Sequence, residues 1–266
     1  LQALQVSIGG NPVTFHEDDP LGDTFSDAQL ELHTLGSSWP VRWVTVHDNA
    51  VDGFDAFDAN VAAKAAGATP FKRPENAQYQ PGTDFQTFFF CPTGDTNSDS
   101  GNRPALAARG AWGSIFRVDF PHGASTGKLS IVVLGDAVHS SFDNLAFAET
   151  GTLLATEDRG DGLHAQLDRL DSIWAFNVLG GSTAPRRFVA VGRDTASFAD
   201  VALADVPGYQ NEGDNEPTGL HVSQGADGLL GMQGTLQNPL LARAFFTQQH
   251  GKNQVWEGRQ DFLRAL

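Results

Sequence analysis

A degenerate three-part unit recurs three times along this chain. It constrains the fold more than any single motif does. Each unit opens with a carboxylate, in Pro74-Glu75-Asn76, Phe142-Asp143-Asn144 and Asn215-Glu216-Pro217. An apolar run ending in polar residues follows: Phe88-Phe89-Phe90 before Thr93-Gly94-Asp95, Leu153-Leu154-Ala155 before Thr156-Glu157-Asp158, and Phe245-Phe246-Thr247 before Gln248-Gln249-His250. A third run closes each unit: Gly113-Ser114-Ile115-Phe116, Asp171-Ser172-Ile173-Trp174 and Asn253-Gln254-Val255-Trp256. Short apolar runs bounded by turn residues read as strands. Three elements recurring in one order suggest blades of a β-propeller carrying insertions. The alternative is coincidence among β-rich segments.

The rest of the chain fits an all-β reading. Strands are expected over Val41–His47, Gln86–Cys91, Ser114–Phe120, Lys128–Leu134, Asn144–Phe147, Thr152–Thr156, Ser172–Val178, Arg187–Val191, Gly219–Ser223, Ala244–Thr247 and Gln254–Glu257. The chain's 29 Gly and 13 Pro supply the turns between them. Helical periodicity is weak. The best candidate runs from Asp58 to Ala66, which is Ala-rich and stops at Gly67, with a second near Leu163–Leu170. The blade-like units cover about residues 69–120, 128–192 and 214–260. They form a single propeller domain over residues 1–266 or the C-terminal portion of one, with an incomplete set of blades on this chain.

Charge narrows the partners. The 17 Lys and Arg against 32 Asp and Glu leave a formal charge of −15, which argues against nucleic acid or an anionic membrane surface. No run of about eighteen apolar residues exists to span a bilayer. The one cysteine, Cys91, ends an apolar strand and reads as core, and no intrachain disulfide can form. The start, Leu1-Gln2-Ala3, has neither initiator Met nor apolar signal segment, so the chain is expected to be processed or cut from something longer.

A propeller brings the starts of its innermost strands to one axial funnel, so Glu75, Asp143 and Glu216 can face one another although far apart in sequence. Clustered carboxylates repel unless a cation binds. Oxygen donors without His or Cys suit Ca²⁺, which takes about six to eight of them. Taken singly, each carboxylate reads equally as a strand-start group bonded to backbone N–H. Arg73 lies two residues before Glu75. In an extended X-Pro segment both side chains point to one side, as a plain salt bridge or as an anion clamp beside a metal. Asp95-Thr96-Asn97-Ser98-Asp99-Ser100-Gly101 looks like a calcium loop but fails the EF-hand spacing, because its twelfth position is Leu106. His16-Glu17 lacks the second His of a zinc motif and reads as solvated. His250 reaches the funnel or serves as a hydrogen-bonded structural residue. No nucleophile elbow, P-loop or dinucleotide fingerprint is present.

At these residues the sequence resembles the PhoX-type alkaline phosphatases. The matching stretches are Gly67-Ala68-Thr69-Pro70-Phe71-Lys72-Arg73-Pro74-Glu75, Phe142-Asp143-Asn144-Leu145-Ala146-Phe147, Leu153-Leu154-Ala155-Thr156-Glu157-Asp158-Arg159-Gly160, Glu216-Pro217-Thr218-Gly219 and Phe245-Phe246-Thr247-Gln248-Gln249-His250. They follow the family's order over residues 67 to 258, and Leu1–Val6 also resembles a mid-chain family segment. The resemblance implies a β-propeller, export to the periplasm or outside the cell, and phosphomonoesterase activity with Ca²⁺ and iron. It implies that Glu75 and Glu216 are metal ligands, that Asp143 is a calcium ligand and that Arg73 holds the substrate phosphate. Glu157 and Asp158 share the place of one family acidic residue, and Glu157 is expected among the metal ligands. The family's Cys-Glu segment for Fe³⁺ has no counterpart in this chain. The missing blades are then expected from an N-terminal propeller segment or another copy of the chain.

The function expected from the sequence is therefore hydrolysis of a small phosphate ester at a calcium-containing site on the propeller axis, with Arg73 and Glu75 at the reacting centre. Two alternatives stand beside it. One is a calcium-dependent lactonase or esterase, since Asn76 and Asn144 also suit a single-ion site. The other is a non-catalytic, calcium-stabilised propeller fragment.

Overall fold

The computed structural model describes residues 1–95, 101–159, 171–180, 184–191, 216–223, 243–249 and 254–258. Its architecture follows from strands that are apolar on both faces. Successive strand side chains point to opposite faces. In β5 (Thr87–Pro92) Phe89 and Cys91 therefore enter one core, while Phe88 and Phe90 enter another. β9 (Thr152–Glu157) does the same: Leu153 and Ala155 face the first core, and Leu154 faces a third. β10 (Ser172–Asn177) sends Trp174 and Phe176 one way and Ile173 and Ala175 the other. Uninterrupted apolar runs such as Phe88-Phe89-Phe90 are the sequence trace of this two-sided burial.

The strands form three antiparallel sheets. The first contains β1 (Gln2–Ile8), β2 (Asn11–Pro12), β3 (Ser38–Thr45), β4 (Pro74–Tyr79), β5, β6 (Ser114–Asp119) and β7 (Gly127–Leu134), in the order β2-β1-β3-β7-β6-β5-β4. The second contains β8 (Phe142–Glu149), β9, β10 and β11 (Arg186–Ala190), in the order β11-β10-β9-β8. The third contains β12 (Glu216–Ser223), β13 (Arg243–Gln249) and β14 (Val255–Gly258), in sequence order. Each repeat thus folds as a meander whose opening strand lies at one edge. The opening strands β4 and β12 both pack against β8. One core, with Phe89, Ile115, Leu145 and Trp174, joins the first sheet to the second. Another, with Leu154, Ile173, Leu220 and Phe246, joins the second to the third. The fold is mainly antiparallel β, and no sheet closes into a barrel among the described residues.

All eleven expected strands are present within a few residues, and three more exist. β1 and β2 lie in the opening segment. β4 escaped recognition because PENAQY carries no apolar alternation and five of its six residues are exposed. The pairing of β7 with β6 puts Lys128–Leu134 in the first sheet, so the second meander starts near Phe142 rather than at residue 128. The expected helix spans Ala59–Ala65. Asp58 caps it by accepting from Asn60 N at 2.9 Å and Val61 N at 3.0 Å, and Gly67 follows its end at φ 72°. Helices Pro20–Phe25, Asp27–Leu32, Asn49–Asp52 and Pro104–Ala107 are too short to show a period in sequence. The helix expected near Leu163–Leu170 lies outside the described residues. No helix among them is long and apolar enough to cross a membrane.

If the second and third sheets share a core, Leu154→Ala must open a cavity there. The expected loss is about 2–5 kcal/mol in denaturant unfolding. A loss below about 1 kcal/mol would show that the third sheet does not cover this face.

Candidate metal centre

The repeat extends to the backbone that aims the carboxylates. Arg73 and Ser141 stand immediately before β4 and β8, and both adopt a left-handed conformation at φ 55°. Their carbonyls accept equivalent bonds, from Thr93 N and Asp158 N, each at 2.8 Å. A β-bulge follows in both strands. Pro74 pairs with Pro92 and Asn76 with Cys91, so Glu75 has no residue opposite. Phe142 pairs with Glu157 and Leu145 with Ala155, so Asp143 and Asn144 together face Thr156. The ladder bond lost there is replaced when Asn144 N donates to Thr156 Oγ1 at 2.8 Å. Bulges re-aim side chains and leave one residue unpaired. In this protein the residues concerned include Glu75 and Asp143. The two strand starts are tied together by the Cys91 thiol, which donates to Asp143 O at 3.1 Å, and by Leu145 N, which donates to Asn76 Oδ1 at 3.4 Å.

Around this frame the polar side chains interlock. Arg73 Nη2 lies 3.6 Å from Glu75 Oε1 and 3.5 Å from Asp158 Oδ2. The extended X-Pro geometry expected for Arg73 is not observed. Its left-handed backbone and the bulge at Glu75 bring the pair together instead. The Thr218 hydroxyl donates to Asp143 Oδ2 at 3.4 Å and accepts from the Asn144 amide at 3.2 Å; that amide also bonds the Asp143 carboxylate. Gln249 Nε2 donates to Glu216 Oε2 at 2.7 Å.

The carboxylates feel one another. Burial pushes Asp143 up to about 6, and the charges of Glu216 and Glu75 push in the same direction. Burial likewise pushes Asp158 up to about 7, helped by Glu216, Asp171 and Asp143 and opposed by Arg73. Glu75, Asp143, Asp158 and Glu216 thus share one field, contributed by the starts of β4, β8 and β12 and the end of β9.

Glu157 lies elsewhere. It is fully buried, accepts from Ser140 N at 2.9 Å and pairs with the buried Arg159 at 2.5 Å. Burial pushes it up to about 8, against the pull of Arg159. Strand alternation separates the two neighbours: Glu157 turns into the core and Asp158 toward Arg73. The sequence expectation put Glu157 among the metal ligands, whereas its carboxylate is buried on Ser140 N and Arg159; sequence reasoning also missed Thr218 and Gln249. The period-two rule from Leu153 onward carried the signal for the first. Nothing local marked the other two. Cys91 is core as expected, its thiol pushed up to about 12 by burial. His16 pairs with Asp23 at 2.7 Å. Asp95 pairs with Lys72 at 2.5 Å, while residues 96–100 and His250 lie outside the described residues.

No group of three or more His, Cys, Asp or Glu side chains stands ready to hold a metal ion among the described residues. The donor chemistry nevertheless suits calcium. It is all oxygen, it carries an excess of negative charge, and it includes two carboxyls whose ionised forms are disfavoured until a cation compensates them.

The class defined by these features is a repeated antiparallel β-sheet protein with an acidic oxygen cluster built around one guanidinium. The family described as alkaline phosphatase PhoX matches residues 16–208, most of the chain, and the protein belongs to that family. No curated protein matches the chain significantly. Arg73, Glu75, Asp143 and Asp158 fall inside the matched residues. Glu216 falls outside them and joins the group through its electrostatic coupling to Asp143 and Asp158.

These shifts fix a pH dependence for the cation-depleted protein. Asp143 and Asp158 hold protons in the folded state that the unfolded chain has released above about 4. The folded state binds more protons at these two groups in that window, so their contribution to stability is fully present below about 4 and is lost as pH rises toward 7. Melting temperature measured in chelator should fall across pH 5 to 7.5, and an Asp143→Asn, Asp158→Asn double variant should reduce that slope, with buried Glu157 carrying a remainder. An unchanged slope in the variant would contradict the assignment.

Proposed function

We propose that this protein hydrolyses phosphate monoesters at a calcium-containing site where the starts of β4, β8 and β12 meet. The three stacked meanders, with their opening strands adjacent, are the blades of a β-propeller in this reading. An N-terminal propeller segment or another copy of the chain completes the ring, in the periplasm or outside the cell.

The observation that carries the reading is Arg73. It is the one cation within the carboxylate group among the described residues, and its two contacts, 3.5 and 3.6 Å, are longer than hydrogen bonds. A guanidinium held this loosely can exchange carboxylates for two phosphoryl oxygens, which match its fork. Arg73 would thus fix the ester's orientation. Glu75, Asp143 and Glu216 would hold calcium, with Asp158 beside them, and Gln249 and Thr218 would steady Glu216 and Asp143. Calcium bound there would polarise the phosphoryl oxygens and offset their charge against the acidic surroundings. Cys91 does not fit as an iron ligand, because its thiol is buried and bonded to main-chain oxygens.

In the lactonase alternative Asn144, which bonds Asp143 and Thr218 through its Nδ2, would offer its Oδ1 to the ion, while Asn76 Oδ1 also accepts from Leu145 N. A non-catalytic, calcium-stabilised propeller remains as the second reading.

p-Nitrophenyl phosphate hydrolysis separates the two. Activity should vanish in chelator and return with calcium. Arg73→Ala should raise KM by about tenfold or more by removing a charge-assisted pair, and Glu216→Gln should weaken calcium binding. Metal-independent turnover, or none after calcium and iron are both restored to the full-length protein, overturns the phosphatase reading. Calcium-raised melting temperature without turnover would support the second.

A further inference from the structure

Away from the carboxylates, a pocket of about 180 Å³ lies between the helices Pro20–Phe25, Asp27–Leu32 and Pro104–Ala107 and the segment before β4. Its apolar walls include Phe15, Phe71 and Leu106, and its polar groups include Arg109 and His33. The size is informative: a cavity of about 150 Å³ admits benzene. One aromatic ring fits, and a second does not.

Arg109 supplies the charge. Its Nε donates to Ser26 O at 3.1 Å and its Nη1 to Ala105 O at 2.9 Å. These are main-chain oxygens, so they orient the guanidinium without neutralising it. No carboxylate pairs with Arg109 among the described residues, in a chain whose net charge is −15. Nη2 has no hydrogen bond among them. The pocket's other charged side chains have partners: Lys72 pairs with Asp95 at 2.5 Å, and Asp23 bonds His16 at 2.7 Å. Arg109 is the pocket cation with no carboxylate partner among the described residues, and it suits a carboxylate.

His33 supplies an acceptor. It is 7% exposed, and its Nδ1 donates to Gln29 O at 2.8 Å. Burial pulls it down to about 4, so the ring is neutral and Nε2 carries a lone pair. Gly110, at φ 80°, packs against the imidazole: a Cβ there would lie 2.3 Å from Nε2, so only glycine fits beside the ring. Nε2 has no hydrogen bond among the described residues. The neutral Nε2 lone pair of this pocket-lining ring can accept from a ligand hydroxyl.

We propose that this pocket binds a small aromatic carboxylate bearing a ring hydroxyl, with the carboxylate on Arg109, the ring among Phe15, Phe71 and Leu106, and the hydroxyl donating to His33 Nε2. The site is separate from the proposed phosphatase centre and requires no metal.

Calorimetric titration of the full chain in chelator tests it, with 4-hydroxybenzoate, benzoate, phenol and inorganic phosphate as probes. 4-Hydroxybenzoate should bind with one-to-one stoichiometry and most tightly. Benzoate should lose several-fold, and phenol and phosphate about tenfold or more. Arg109→Gln should weaken 4-hydroxybenzoate by about tenfold. His33→Phe should bring it down to the benzoate level. No binding of 4-hydroxybenzoate to the wild-type chain overturns the proposal. So does equal binding of phenol or phosphate. The wild-type ligand series decides the matter even if a variant fails to fold.

Discussion

Like charges brought together by the fold are the constraint on which the rest of this structure depends. Glu75, Asp143 and Glu216 come from the starts of three strands and Asp158 from the residue after a fourth, and two of the four are held above the usual carboxylate range. Such an arrangement opposes folding unless something compensates it. Within the described residues the compensation is partial. Arg73 sits between Glu75 and Asp158, while Thr218, Asn144 and Gln249 donate hydrogen bonds to Asp143 and Glu216. The remaining charge is the physical reason to expect a cation. In the proposed reading a cation bound there would let an acidic protein take an anionic substrate, because it would outweigh the distant field of a −15 chain.

The scaffold that enforces this proximity is apolar. The second sheet is covered on both faces, by the Phe89, Leu145 and Trp174 core on one side and the Leu154, Leu220 and Phe246 core on the other. Stacked this way, three meanders place their opening strands side by side. Matching left-handed residues and bulges then turn Glu75 and Asp143 out of the ladder. Cys91 belongs to this framework, since its thiol links β5 to the start of β8.

Much of this was legible in the sequence because burial on two faces writes long apolar runs. Phe88-Phe89-Phe90 and Leu153-Leu154-Ala155 announced strands, and the recurring carboxylates marked strand starts, of which β4 and β12 both pack against β8. β4 was not legible, since an opening strand with polar, exposed side chains has no period to read. The resemblance to the PhoX family also placed Glu157 and Asp158 at one shared position, and only the alternation of β9 tells them apart. The conformation of Arg73 was beyond sequence reasoning. The residue before a proline is ordinarily extended, and the left-handed exception at Arg73 stands directly before a bulge that the sequence does not mark.

Elemental analysis of the purified, dialysed, folded protein tests the central claim most directly. Calcium retained in stoichiometric amount, and lost in the Asp143→Asn, Glu216→Gln double variant, is the predicted result. Folded protein that holds neither calcium nor iron, and that takes up neither when both are supplied, would contradict it.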